Sequence, residues 1–126
     1  LDPVAVLDWD QGTCGDPLFD LATLLSYWVE PDDPQAMHDL EQMPSAGNGF
    51  PTRSEIVTRY AARSGRDVSN FLFHRVLAMF KLGVIFMQIY AQYRRGTSQD
   101  ERFKRFGELV DGLMEFAHEV SRGRAS

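Results

Sequence analysis

The stretch that most constrains this chain runs from Ser69 to Arg95. Its centre, VLAMFKLGVIFMQIY, is apolar almost all the way round, and Gly96 closes it. A helix with one apolar stripe needs one packed neighbour, whereas a helix that is apolar on every side has to be surrounded. The spacing therefore predicts a helix over 69–95 at the centre of a helical core. A membrane span is the rival reading. Lys81 interrupts the apolar run, and the uninterrupted pieces fall short of the roughly 20 residues a span needs.

Three further helices are predicted around it. Asp16-Pro17 opens one over about 17–29, because aspartate caps a helix and proline suits its first position. Leu18, Leu21, Ala22, Leu25, Trp28 and Val29 share its apolar face. Thr52 and Glu55 form a capping box at the head of a helix over 52–64, with Ile56, Val57, Tyr60 and Ala61 as the buried stripe and Gly65 as its end. Ser98, with Glu101 three residues on, is expected to cap a last helix over about 99–121. Phe103, Phe106, Val110, Leu113, Met114, Ala117 and Val120 line one face of it. Residues 30–51, EPDDPQAMHDLEQMPSAGNGFP, read as a long loop with at most a short helical turn near Gln35 to Gln42. Loops of that length are often functional.

Ahead of the helices, Val4 to Asp8 reads as one short buried strand. A lone strand cannot satisfy its own backbone groups, so its partners are expected from sequence upstream. The opening LDPVAVLDWD, without an initiator Met, points the same way, to a fragment or a processed chain. The length of 126 residues fits one domain or a piece of one. A net charge of −5 argues against nucleic-acid binding, and there is no polybasic membrane anchor. A single cysteine, Cys14, excludes an internal disulfide framework. With no visible signal peptide, the expected location is cytoplasmic.

The chemistry is concentrated in VAVLDWDQGTCGDPLFDLATLL, residues 4–25, which carries Asp8, Asp10, Asp16 and Asp20. An aspartate at the C-terminal end of a buried strand projects into the cleft beyond it, a common place for a metal ligand or a nucleophile. Mg²⁺ favours one or two such carboxylates plus phosphate oxygens. The alternative is that Asp8 only caps a turn, and spacing alone leaves both open.

VAVLDWDQGTCGDPLFDLA resembles the signature V-x-x-[IL]-D-W-[ED]-x-x-x-x-G-D-P-x-x-D-L-A of the aminoglycoside phosphotransferase-like family, which has a protein-kinase-like fold. The stretch GFPTRSEIVTRYAARSGRDVSNFLFHRVLAMFKLGVIFMQIYAQYRRGTS resembles one branch of it, which includes the kinase-like modules fused to some acyl-CoA dehydrogenases and stand-alone bacterial relatives. The resemblance covers nearly the whole chain, but only the C-terminal part of the family's domain. It implies a mainly α fold: the helical C-terminal lobe, with one short strand followed by about four helices.

The resemblance also implies roles. Asp8 matches the aspartate that holds Mg²⁺ on the nucleotide phosphates. Asp10 occupies the family's Glu or Asp position, where it could support the metal through water or make only a loop hydrogen bond. Gly15, Asp16 and Pro17 match the turn into the helix, with Asp16 as its cap. Asp20 matches the aspartate expected to brace the catalytic loop. The family's catalytic loop H-G-D-x-x-x-x-N, its Gly-rich phosphate loop and its strand lysine have no counterpart in these residues. No catalytic residue is therefore expected within the chain, the base being expected upstream of Leu1. The implied parent transfers the γ-phosphoryl group of ATP, with Mg²⁺, to a hydroxyl on a small molecule such as a hydroxyacyl-CoA or an aminoglycoside. The fragment alone is expected to be inactive, with the N-terminal lobe of the same protein as its partner.

Two other functions compete with this one. D-W-D-Q-G-T is one residue too long for the D-x-D-G-T of haloacid-dehalogenase-like phosphatases, and the helical remainder lacks the strands that fold needs. A non-catalytic interaction module would show an exposed apolar surface, which a dimer could cover. Of the remaining polar residues, His74 reads as a packed, hydrogen-bonded side chain, and Cys14 as a small filler. Arg53, Arg59, Arg63 and Arg66 read as a solvated face, with docking of a phosphorylated or CoA-bearing substrate as the alternative. Tyr90, Tyr93 and Arg94 could line a substrate cleft.

Overall fold

A computed structural model describes residues 4, 5, 7, 14–40, 42–47 and 49–125. Among these residues five α-helices follow one another: α1 (Pro17–Ser26), α2 (Gln35–His38), α3 (Arg53–Ser64), α4 (Phe71–Arg94) and α5 (Phe106–Ser121), with short 3-10 segments at Pro44–Ala46 and Glu101–Arg105. Among the described residues the fold is mainly α.

The strand expected over Val4 to Asp8 is not formed among the described residues. Val4, Ala5 and Leu7 have no strand pairing, and Val4 and Leu7 are exposed. A strand needs a neighbour for its N–H and C=O groups, and these residues have none here. Asp8 itself lies outside the described residues.

Helix α4 is the spine. Its Phe71 and Ala78 pack with Leu18, Leu21, Ala22 and Leu25 of α1, and Ile56, Val57 and Tyr60 of α3 lie half-buried against that cluster. Its Met79, Leu82 and Phe86 pack with Leu109, Val110, Leu113, Phe116, Ala117 and Val120 of α5. Gly83 leaves room for the end of the Met114 side chain of α5, which a Cβ there would meet.

Burial of α4 is not complete, contrary to its all-round apolar pattern. Phe73, Leu77, Phe80, Val84 and Met87, at alternating spacings of four and three, are exposed in a row. Helices α1 and α5 cover two sides, and nothing among the described residues covers the third. By length and composition α4 could also cross a membrane, yet its buried side joins the two clusters.

The ends of the helices follow from local chemistry. The capping box of α3 is formed: Thr52 N–H donates to Glu55 Oε2 at 2.7 Å, and Glu55 N–H to Thr52 Oγ1 at 3.2 Å. Gly65 ends it at φ 68°, a left-handed turn glycine adopts without strain. Helix α1 stops at Ser26, short of the expected 29. Its continuation is drawn into the loop: the Trp28 indole N–H donates to the Pro51 carbonyl at 3.0 Å, and Val29 N–H to Ser45 Oγ at 2.8 Å. Helix α4 starts two residues later than expected. The fourth expected helix splits into a 3-10 segment and α5, and its cap is Asp100 rather than Ser98. Asp100 accepts the Arg102 N–H at 3.0 Å, and an ionised carboxylate outcompetes a hydroxyl there.

The long loop is packed rather than free. Met37 and Leu40 are buried in the α4–α5 cluster, and Arg105 Nη2 donates to the Asp39 carbonyl at 3.0 Å.

Candidate functional site

The residues the sequence nominates for metal binding, Asp8 and Asp10, lie outside the described residues. The turn that follows them is described. Cys14 and Gly15 are exposed, which removes the filler reading of Cys14. Asp16 sits in extended backbone, and its Oδ1 accepts the Leu18 N–H at 2.9 Å, capping α1. Its Oδ2 lies 2.9 Å from His74 Nε2 on α4, while His74 Nδ1 lies 3.1 Å from the Asn70 carbonyl. A carbonyl and an ionised carboxylate can only accept, so both ring nitrogens of His74 face acceptors. Asp16 thus fixes the head of α1 to α4 and holds the turn that follows the acidic motif. Asp20 is exposed on the first turn of α1 and makes no hydrogen bond among the described residues.

The Leu18 N–H, then His74, hold the Asp16 carboxyl below its ordinary 3.8. A carboxyl lowered by folding stabilises the fold above its unfolded pKa, and that stability is lost as pH falls through the folded value. Asp16→Asn is therefore expected to melt below the wild type at pH about 6, with the gap closing by pH about 2. Melting curves across that range check it.

A second polar centre lies beside the long loop. Arg53, at the head of α3, is 3% exposed. Its backbone N–H donates to Glu30 Oε1 at 2.7 Å and its Nη1 to Glu30 Oε2 at 2.8 Å. Nη1 also donates to Asp33 Oδ1 at 3.0 Å, Nη2 pairs with Asp33 Oδ2, and Nη2 reaches the Trp28 carbonyl at 2.7 Å. Arg53 is therefore not part of a solvated basic face. Nothing local in the sequence marks its partners, which lie 20 and 23 residues earlier. Arg59 and Arg63 remain exposed and line a smaller cleft with Leu21, Ile56, Tyr60 and Ser64.

Tyr90, Tyr93 and Arg94 do not line that cleft. Arg94 Nη1 donates to Tyr90 Oη at 3.1 Å, and the Tyr93 hydroxyl donates to Glu101, tying the end of α4 to the following segment. Among the described residues, no group of three or more His, Cys, Asp or Glu side chains is placed to hold a metal ion.

Comparison with known proteins matches residues 2–56 to a family described as Phosphotransferase enzyme family. The chain is 31% identical over 121 residues to acyl-CoA dehydrogenase family member 11 of Mus musculus, covering 94% of this chain and 15% of that protein. It is 30% identical over 124 residues to the Homo sapiens protein of the same name, with the same shares covered. Acyl-CoA dehydrogenase family member 10 of Mus musculus is 26% identical over 116 residues, 90% of this chain and 11% of that protein. The chain thus spans about one-seventh of the length of the first of these relatives. No solved structure gives a significant match.

Proposed function

We propose that this chain, whose residues 2–56 carry the phosphotransferase pattern, is the helical C-terminal lobe of an enzyme that moves the γ-phosphoryl group of ATP to a hydroxyl on a small molecule. The observation that carries the reading is the acidic motif D-W-D running into a G-D-P turn whose aspartate is fastened at both oxygens, to Leu18 and to His74. That fastening ties the turn at Asp16 to α1 and α4, and phosphoryl transfer is catalysed mainly by position and charge.

Asp8 is the residue we assign to Mg²⁺ on the ATP phosphates, with Asp10 in support. Their carboxylates are the hard oxygen donors this ion takes. Bound there, the ion would neutralise charge on the phosphates. The base and the phosphate-cradling loop belong to the rest of the longer protein, so the 126 residues alone are inactive. A hydroxyacyl compound, carried as its CoA thioester, is the favoured acceptor class, because the relatives are named for acyl-CoA chemistry. The net charge of −5 keeps a polycationic, aminoglycoside-like acceptor as the second choice. The single cysteine supports a reducing, cytoplasmic location.

In the intact protein, Asp8→Ala is expected to lower transfer from γ-labelled ATP by about 10³-fold or more, with the circular-dichroism melt unchanged. Unaltered transfer would remove Asp8 from the site.

One observation favours a second reading, a non-catalytic interaction module: the exposed row Phe73, Leu77, Phe80, Val84 and Met87 on α4. If the intact protein transfers no phosphate and a charge in that row, Phe80→Glu, dissociates a dimer, the second reading replaces the first.

A further inference from the structure

The segment Glu30–Asp33, the head of α3, the first turns of α4 and the end of α5 enclose a cleft of about 730 Å³. Arg75 of α4 lines it and is 8% exposed. Its Nε is buried with no acceptor, and its guanidinium makes no hydrogen bond among the described residues. Burial first, and then the neighbouring Arg53 charge, push Arg75 down to about 10, so it is still a cation at neutral pH.

A guanidinium this buried with its Nε unpaired is costly, and the Glu30 and Asp33 charges offset only part of that cost. The nearby carboxylates are already committed: both oxygens of Glu30 and both of Asp33 serve Arg53. The Phe116 ring, 5.9 Å from the Arg75 guanidinium carbon, softens the charge but offers no oxygen. Arg124, at the rim, is held by Glu119 at 3.3 Å.

We infer that this cleft binds a small ligand through an oxyanion, carboxylate or phosphate, seated in the fork of Arg75 over the Phe116 ring. A guanidinium presents paired N–H donors that match either group bidentately. The site stands on its own residues and does not rest on the phosphotransfer reading, which involves Asp8.

The test follows the assigned Arg75 Nε–Hε resonance of the intact protein by NMR, at constant ionic strength, during separate titrations with inorganic phosphate and with succinate. The expected result is a saturable downfield shift with a Kd on the order of 1 mM. Read in both variants from the backbone amide shifts of the cleft residues Thr52, Leu72 and Phe116, Arg75→Gln should weaken binding about tenfold or more, while Arg59→Gln, in the other cleft, leaves it unchanged. A response to phosphate alone assigns a phosphate group, one to succinate alone a carboxylate, and one to both a fork that reads oxyanion shape. No shift with either probe overturns the inference, as does affinity that survives Arg75→Gln. Should Arg75→Gln fail to fold, the wild-type titration decides alone.

Discussion

Arg53→Met is expected to destabilise the fold by about 3–5 kcal/mol, among the largest effects of any single change in this chain. The side chain is 3% exposed, and its removal strands Glu30 and Asp33, the latter 5% exposed at its side chain, without their cation. Removing one member of a buried ion cluster costs more than the cluster itself contributes, because the remaining charges stay desolvated. The loss extends to backbone: the Trp28 carbonyl forfeits its Arg53 donor, and with it the clamp between the end of α1 and the head of α3. Arg53→Lys keeps the charge but not the fork, and should fall between. Urea denaturation followed by circular dichroism checks the series. A midpoint for Arg53→Met equal to wild type would show that the cluster is structurally idle.

Met37→Ala is expected to cost about 2–4 kcal/mol. Met37 is 1% exposed and belongs to a four-residue helix inside the long loop, where it plugs into the α4–α5 cluster with Leu40. Truncation leaves a cavity in a cluster whose other members include the stiff rings of Phe86 and Phe116. The loop should also become the first site cut by protease, since Met37 is its main apolar anchor. Denaturation midpoints and limited proteolysis test the two halves separately. A protease pattern unchanged from wild type would mean that Ser45 and Arg105 suffice to hold the loop.

These two sites show where sequence reading stops. Local chemistry was legible: the Thr52–Glu55 box, Gly65 as its end, Asp16 and Pro17 at the head of α1, and the apolar face of α5. Each depends on residues no more than about a turn of helix apart. What was not legible depends on partners far along the chain. Trp28 and Val29 fit the α1 stripe, yet their donors go to Pro51 and Ser45. Arg53 looked like one of four solvated arginines until Glu30 and Asp33 folded over it. His74 meets Asp16 across 58 residues, a pairing no spacing rule marks. The pattern of α4 says that it is apolar all round, but not which side its neighbours in these residues leave bare. The acidic stretch from Asp8 to Asp10 is legible only as a motif, because both residues lie outside the described residues.

The reading of the chain as one lobe of a phosphotransferase is tested most directly by the fate of the γ-phosphate. ³¹P NMR would follow Mg²⁺-ATP with a hydroxyacyl-CoA and, separately, with an aminoglycoside, once with the intact protein and once with the 126 residues alone. The predicted result is a new phosphomonoester signal with the intact protein and one of the acceptors, and none with the 126 residues. Ester formed by the 126 residues alone, or none formed by the intact protein with either acceptor, would contradict it.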